Sequence, residues 1–207
     1  MAFVFWAKND AGGENVHLFS AKNVSMEAPP DDETSVLFVC LGNICRSPLA
    51  EELFREKVRE RRLEDRFHVE SAGTGDWHLG EAPDDRMQAA ARRNGGLDIS
   101  EQRARQFEAG DFEAFDHIFV MDKSNLHDVL FLDEKGEHDG KVRLFREFDP
   151  QPGDFQVPDP YAGGREGFDN VYRIADRTTT RILDELLEEE EKRGEKESEK
   201  AGEEGGG

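Results

Sequence analysis

A chain of 207 residues with a formal net charge of −20 has the length of one ordinary domain, and its acidic, lysine-poor composition argues against nucleic acid and anionic membranes as partners. No apolar run approaches the roughly 18 residues that span a bilayer, and the first residues lack both a basic stretch and a long apolar one. Neither membrane insertion nor a secretory leader is therefore expected. Only two cysteines are present, Cys40 and Cys45, so no disulfide framework is available and a reducing cytoplasm is the expected setting.

Residues 1–34 have weak periodicity and end in Ala-Pro-Pro-Asp-Asp-Glu-Thr, the composition of a linker, and are expected to be a disordered extension. Met26 stands just before that linker and is an expected alternative start of translation. From residue 35 onward strand and helix patterns alternate. Residues 35–40 are a short apolar run suited to a strand buried on both faces. Ser47 is expected to cap the following helix with Pro48 in its first position, and Leu49, Leu53, Phe54 and Val58 mark one apolar face. Residues 67–71 read as a second strand, and 83–94 as a second helix stopped by Gly95 and Gly96.

A short helical stretch is expected over 101–107, a third strand over 117–121, a helix over 123–131 and a fourth strand over 142–145. Phe168, Val171, Tyr172, Ala175, Ile182, Leu183 and Leu186 trace a long last helix. Between 188 and 204 nine glutamates face four lysines or arginines, so residues 188–207 are expected to be an acidic disordered tail. The alternation over 35–187 predicts one α/β domain, a four-stranded parallel sheet with helices on both faces.

The most informative stretch is Val-Leu-Phe-Val-Cys40-Leu-Gly-Asn-Ile-Cys-Arg46-Ser-Pro, a strand that runs into a short loop with a helix directly behind it. A free thiol, with an ordinary pKa of about 8.5, is mostly protonated at neutral pH and needs a positive field to attack phosphorus. Three sources converge on Cys40: the loop N–H groups, the positive end of the helix dipole, and Arg46, whose planar fork suits two phosphate oxygens. Gly42 lets the backbone approach a ligand closely. A cysteine and an arginine six positions on are a loose signal alone; the strand before them and Gly42, Asn43 and Ser47-Pro48 around them sharpen it.

Residues 36–51 resemble the phosphate-binding loop of the low-molecular-weight protein tyrosine phosphatases. The resemblance covers roughly 35–187 and implies a doubly wound sheet with the active site at the carboxyl ends of the strands, as ligands of open α/β sheets are placed in general. It also implies Cys40 as nucleophile, with Leu41, Gly42, Asn43, Ile44 and Cys45 forming the loop around the phosphoryl group and Arg46 binding it. Ser47 matches a residue that hydrogen-bonds the cysteine sulfur. Asn43 matches one that holds the loop in a left-handed turn by bonding neighbouring side chains, of which Ser71 is one. Gln102, in Gln-Arg-Ala-Arg-Gln, stands where the family often has histidine, and glutamine cannot titrate near neutrality.

Far downstream, Val157-Pro-Asp159-Pro-Tyr161-Ala resembles the family's Asp-Pro-Tyr loop. Asp159 is implied as the acid that protonates the leaving oxygen and then takes a proton from water. Trp77 and Tyr161 are implied, with Leu41 and Ile44, as walls of a slot for an aromatic ring. Ala162 replaces a second tyrosine found in many relatives. Ile44, where arginine-directed relatives tend to have threonine, favours tyrosine.

The expected activity is hydrolysis of phosphotyrosine in proteins, and of small aryl phosphates, through a phosphocysteine intermediate, without a metal or other cofactor. The expected partners are phosphotyrosine proteins and a tyrosine kinase. Two rivals use the same residues: an arsenate reductase and a phosphotyrosine-binding module without catalysis. The reductase would need an external small thiol, because no cysteine follows Cys45. The six histidines show no metal-site spacing, and Asp84, Asp85, Asp122 and Asp128 read as caps and surface charges.

Overall fold

The computed structural model describes residues 33–204, so the expectations for residues 1–32, Met26 included, and for the last three residues lie outside it. Four parallel strands, β1 (Thr34–Cys40), β2 (Phe67–Gly73), β3 (His117–Val120) and β4 (Val142–Leu144), form one sheet in the order β2-β1-β3-β4. The helices are α1 (Arg46–Glu60), α2 (Asp85–Gly95), the short α3 (Asp111–Ala114), α4 (Lys123–Phe131) and α5 (Arg165–Glu204).

β1 is buried on both faces, and its alternation divides the core. Val36, Phe38 and Cys40 join the cluster with Leu49, Leu53 and Phe54 of α1 and Ile182 and Leu183 of α5. Leu37 and Val39 face Phe107, Phe112, Ile118 and Val129 on the other side. Phe38 sits at the centre of the first cluster, with the rings of Phe54, Phe119 and Phe145 at 5.7, 5.8 and 5.8 Å. The chain leaves β1 towards β2 on one side and reaches β3 on the other. The crevice at that reversal opens at the carboxyl end of β1, where Cys40 lies.

Three local expectations are corrected. α1 begins at Arg46 with Cys45 as its N-cap and no side-chain cap bond, so Ser47 lies inside the first turn, its hydroxyl turned towards Cys40 instead. Residues 101–107 are extended rather than helical, because Gly73 N–H donates to Arg105 O (2.9 Å) and Phe107 N–H to Gly73 O (2.8 Å), docking the segment beside β2. α5 continues past Leu187 to Glu204. Glutamate and lysine are good helix formers, and Glu190 ties the extension to the domain, accepting from Thr34 Oγ1 at 2.6 Å and pairing with Arg66. The expected stop of α2 is met by Gly96, whose φ of +69° needs no Cβ to be accommodated.

Candidate active site

The loop from Cys40 to Arg46 is shaped from below. Asn43 takes φ +53°, a left-handed conformation that asparagine tolerates better than most residues. Three hydrogen bonds hold it there: its Nδ2 donates to Ser47 Oγ (2.9 Å) and Ser71 Oγ (2.8 Å), and its Oδ1 accepts from Arg105 N–H (2.9 Å). Gly73 of β2 packs against the back of the loop, where a Cβ would lie 2.9 Å from Leu41 O and 3.0 Å from Asn43 N. Among the described residues the N–H groups of Leu41, Gly42, Asn43, Ile44 and Cys45 donate to no protein acceptor. They form a nest of donors at the head of α1, the arrangement that holds an anion.

Cys40 is 2% exposed, and its Sγ lies 3.1 Å from Ser47 Oγ. Since Ser47 already accepts from Asn43, its own proton is free for the sulfur or for Ala72 O at 3.2 Å. The network continues outward, Ser71 Oγ donating to the buried Glu51 at 2.6 Å. Burial, together with neighbouring Glu70 and Glu52, outweighs Arg55 and Ser71 and raises the Glu51 pKa. Gln102 reaches the first turn of α1 through Nε2 to Pro48 O (3.1 Å), while its Oε1 is buried with no partner among the described residues.

Arg46 is also buried, and its guanidinium is held by two carboxylates, Asp122 at 2.5 Å and Asp159 at 3.0 Å, with Val157 O at 3.2 Å. Burial alone would make it a weaker base, but the charges of Cys40, Asp159 and Asp122 and the hydrogen bond to Asp122 outweigh it, so Arg46 stays a cation. Cys45 behaves oppositely: burial, and then Asp84, Cys40 and Asp159, push its thiol up, so it stays protonated. Asp159 is partly open to solvent, and its Oδ1 accepts from Tyr161 N–H at 2.9 Å.

A cleft of about 210 Å³ brings together Cys40, Leu41, Gly42, Ile44, Cys45, Arg46, Trp77, Asp159 and Tyr161 of the sequence-predicted set. Asn43, Ser47 and Ser71 support it from beneath. Trp77 and Tyr161 stand on its rim, 67% and 53% exposed, so neither is a core aromatic. The sequence reading missed two residues here. By sequence Asp122 reads as a cap or surface charge; it does cap α4, accepting from Asn125 N–H at 2.8 Å, but its other oxygen holds Arg46. Its place directly after a parallel strand was the available signal. By sequence His78 is one of six scattered histidines, yet it lines the cleft beside Trp77, with Nδ1 2.6 Å from Glu81. Among the described residues no group of His, Cys, Asp or Glu could hold a metal, and no helix is long and apolar enough to cross a membrane.

The family model for low molecular weight phosphotyrosine protein phosphatase matches residues 35–193. A low molecular weight phosphotyrosine protein phosphatase of Schizosaccharomyces pombe is 46% identical over 139 residues, 66% of this chain and 86% of the relative. The Homo sapiens relative of that description is 39% identical over 155 residues, 73% of this chain and 94% of its own. Among solved structures, a protein tyrosine phosphatase from Entamoeba histolytica with Hepes in its active site superposes with a TM-score of 0.72 at 32% identity, covering 76% of this chain and 99% of the other. Bacillus subtilis YfkJ superposes at 0.69 with 33% identity, over 76% and 96%.

Proposed function

This chain belongs to the low molecular weight phosphotyrosine protein phosphatase family, and we propose that it hydrolyses phosphotyrosine in proteins, and small aryl phosphates, through a phosphocysteine intermediate. The observation that carries the reading is the convergence on one cleft of a buried cysteine, a buried arginine and a partly open carboxyl around a nest of free N–H groups.

In the first step Cys40 Sγ attacks the phosphorus in line with the leaving oxygen. The S–P bond forms and the P–O bond breaks, while Asp159 gives its proton to the departing phenolate. In the second step water attacks the phosphocysteine, Asp159 takes a proton from it, and the S–P bond breaks to release inorganic phosphate and the thiolate. Ser47, within hydrogen-bond reach of the sulfur, stabilises that thiolate as it leaves. Arg46 and the loop N–H groups bind the equatorial oxygens in both steps, placing fixed positive charge where the negative charge is spread. Binding brings the phosphoryl group into competition with Asp159 for Arg46 Nη2, which frees the carboxyl for proton transfer.

The rim of Trp77, Tyr161, Leu41 and Ile44 accepts a phenyl ring, which favours phosphotyrosine. Phosphotyrosine proteins are the proposed substrates, a tyrosine kinase the proposed counterpart, and a reducing cytoplasm, where both thiols persist, the proposed setting.

The test is phosphate release from a phosphotyrosine peptide in excess chelator, by the wild type and by Cys40→Ser. Release by the wild type alone supports the reading, with Cys40→Ser still binding vanadate. Turnover by Cys40→Ser, or none by the wild type, overturns it.

A further inference from the structure

On the phosphatase reading Asp159 must be held over the leaving oxygen, yet its side chain is 44% exposed. The loop that carries it is anchored on its upstream side by Val157, whose N–H donates to Met121 O at 2.8 Å and whose O accepts from Arg46. The downstream anchor is Arg86, on the first turn of α2. Its Nη1 donates to Tyr161 O at 3.0 Å, and its guanidinium lies 5.1 Å from the Tyr161 ring and 4.8 Å from the Phe168 ring. Arg86 thus contacts both the acid loop and the first turns of α5.

The fork is fixed in turn by Asp84, with Nε 3.0 Å from Oδ1 and Nη2 2.7 Å from Oδ2. The Asp84 N–H donates to Ile44 O of the phosphate loop at 2.8 Å. A continuous path therefore runs from Ile44 through Asp84 and Arg86 to Tyr161, and Tyr161 N–H bonds Asp159 itself.

We propose that Arg86 is a positioning residue that fixes the acid loop relative to the phosphate loop and so places Asp159 over the leaving oxygen. The proposal rests on the phosphatase reading above. Only a guanidinium serves all these contacts at once: a bidentate carboxylate pair, a carbonyl bond and close approach to two aromatic rings. A lysine ammonium is a point charge that makes one or two of them. The Arg86 side chain is 48% exposed and that of Asp84 12%, so the pair is expected to contribute modestly to folding and the domain to fold without it.

The experiment compares kcat/KM for a nitrophenyl phosphate, whose leaving group departs readily, and a phenyl phosphate, whose leaving group needs a proton. The enzymes are the wild type, Arg86→Met, Arg86→Lys, Asp159→Ala and the Arg86→Met/Asp159→Ala double variant. Arg86→Met is expected to lose about tenfold on the phenyl ester and under about threefold on the nitrophenyl ester, with Arg86→Lys between it and the wild type. The double variant is expected to be no slower than Asp159→Ala, because Arg86 acts only through the acid. Equal slowing on both esters, unchanged rates on both, or an additive loss in the double variant would overturn the positioning role. Arg86→Lys, which keeps the charge, decides the matter if the methionine variant fails to fold. No turnover of either ester by the wild type would overturn the phosphatase reading, and the role of Arg86 with it.

Discussion

Asp122 Oδ2 lies 2.5 Å from Arg46 Nη1 across 76 residues of sequence, and Asp122 Oδ1 at the same time caps α4. One carboxylate therefore orients the buried Arg46 guanidinium and fixes the helix behind it. The pair is largely shielded from water, with side-chain exposures of 3% and 20%, where a fixed geometry matters more than in solvent.

Replacing Asp122 by asparagine keeps an acceptor for the Asn125 N–H and removes the charge facing Arg46. The expected outcome is a loss of about tenfold in kcat/KM for aryl phosphates, with weaker inhibition by vanadate. Stability is expected to change by no more than about 1 kcal/mol, because the cap survives. Steady-state kinetics and urea midpoints on the same preparation check both statements.

Asn43→Ala removes three hydrogen bonds at once and asks alanine to adopt φ +53°. A loss of about 2–3 kcal/mol is expected from the unmade bonds and the strain. Activity is expected to fall about tenfold or more, as the Ser47 hydroxyl loses its donor and the loop relaxes. Asn43→Gly relieves the strain but not the lost bonds, so it should recover part of the stability and little of the rate. Chemical denaturation separates the two.

The two cysteines should differ sharply in reactivity. Burial, and then the charges of Asp84, Cys40 and Asp159, keep Cys45 a neutral thiol. At pH 7 iodoacetamide is expected to modify Cys40 and spare Cys45 in the folded protein, with phosphate protecting Cys40 and denaturant exposing both. Peptide mass mapping reads the sites.

Asp149 gives the fold an acid limit. It is buried, which alone would raise its pKa, but hydrogen bonds from Arg177, the Gln151 N–H and Arg146 outweigh burial and hold it below the usual carboxylate range. A depressed folded-state pKa means stability that is present above the unfolded value, about 3.9, and lost as pH falls through the folded one. Asp149→Asn leaves Arg146 and Arg177 facing a neutral group and should cost about 3 kcal/mol at pH 7. That difference is expected to begin shrinking as pH falls below about 4, where the unfolded chain takes up the proton first, and to be lost once the folded wild type is protonated as well. Urea midpoints across pH measure it.

The fold was legible where one periodicity dominated. The run before Cys40 predicts a fully buried strand, and it pairs with β2 over the whole of β1 and with β3 over Val36–Val39. The helix over 123–131 is found with those bounds as α4. The segment 101–107 was not legible, because its own pattern suits a helix while the edge of β2 supplies the backbone partners that extend it.

The layout around Cys40 could be read from local spacing, because strand, loop and helix there are contiguous and Arg46 stands only six positions on. Asp159 could be read as well, from a loop whose prolines limit its shape. Which distant groups meet that loop depends on how the chain folds back on itself. Asp122 reaches Arg46 because parallel strands deliver their carboxyl ends to one edge of the sheet. Arg86 reaches Tyr161 because α2 and the acid loop pack on the same side of the cleft. Such contacts depend on chain reversals that leave no mark in local spacing, so the residues that aim the site are those the sequence reads as caps and surface charges.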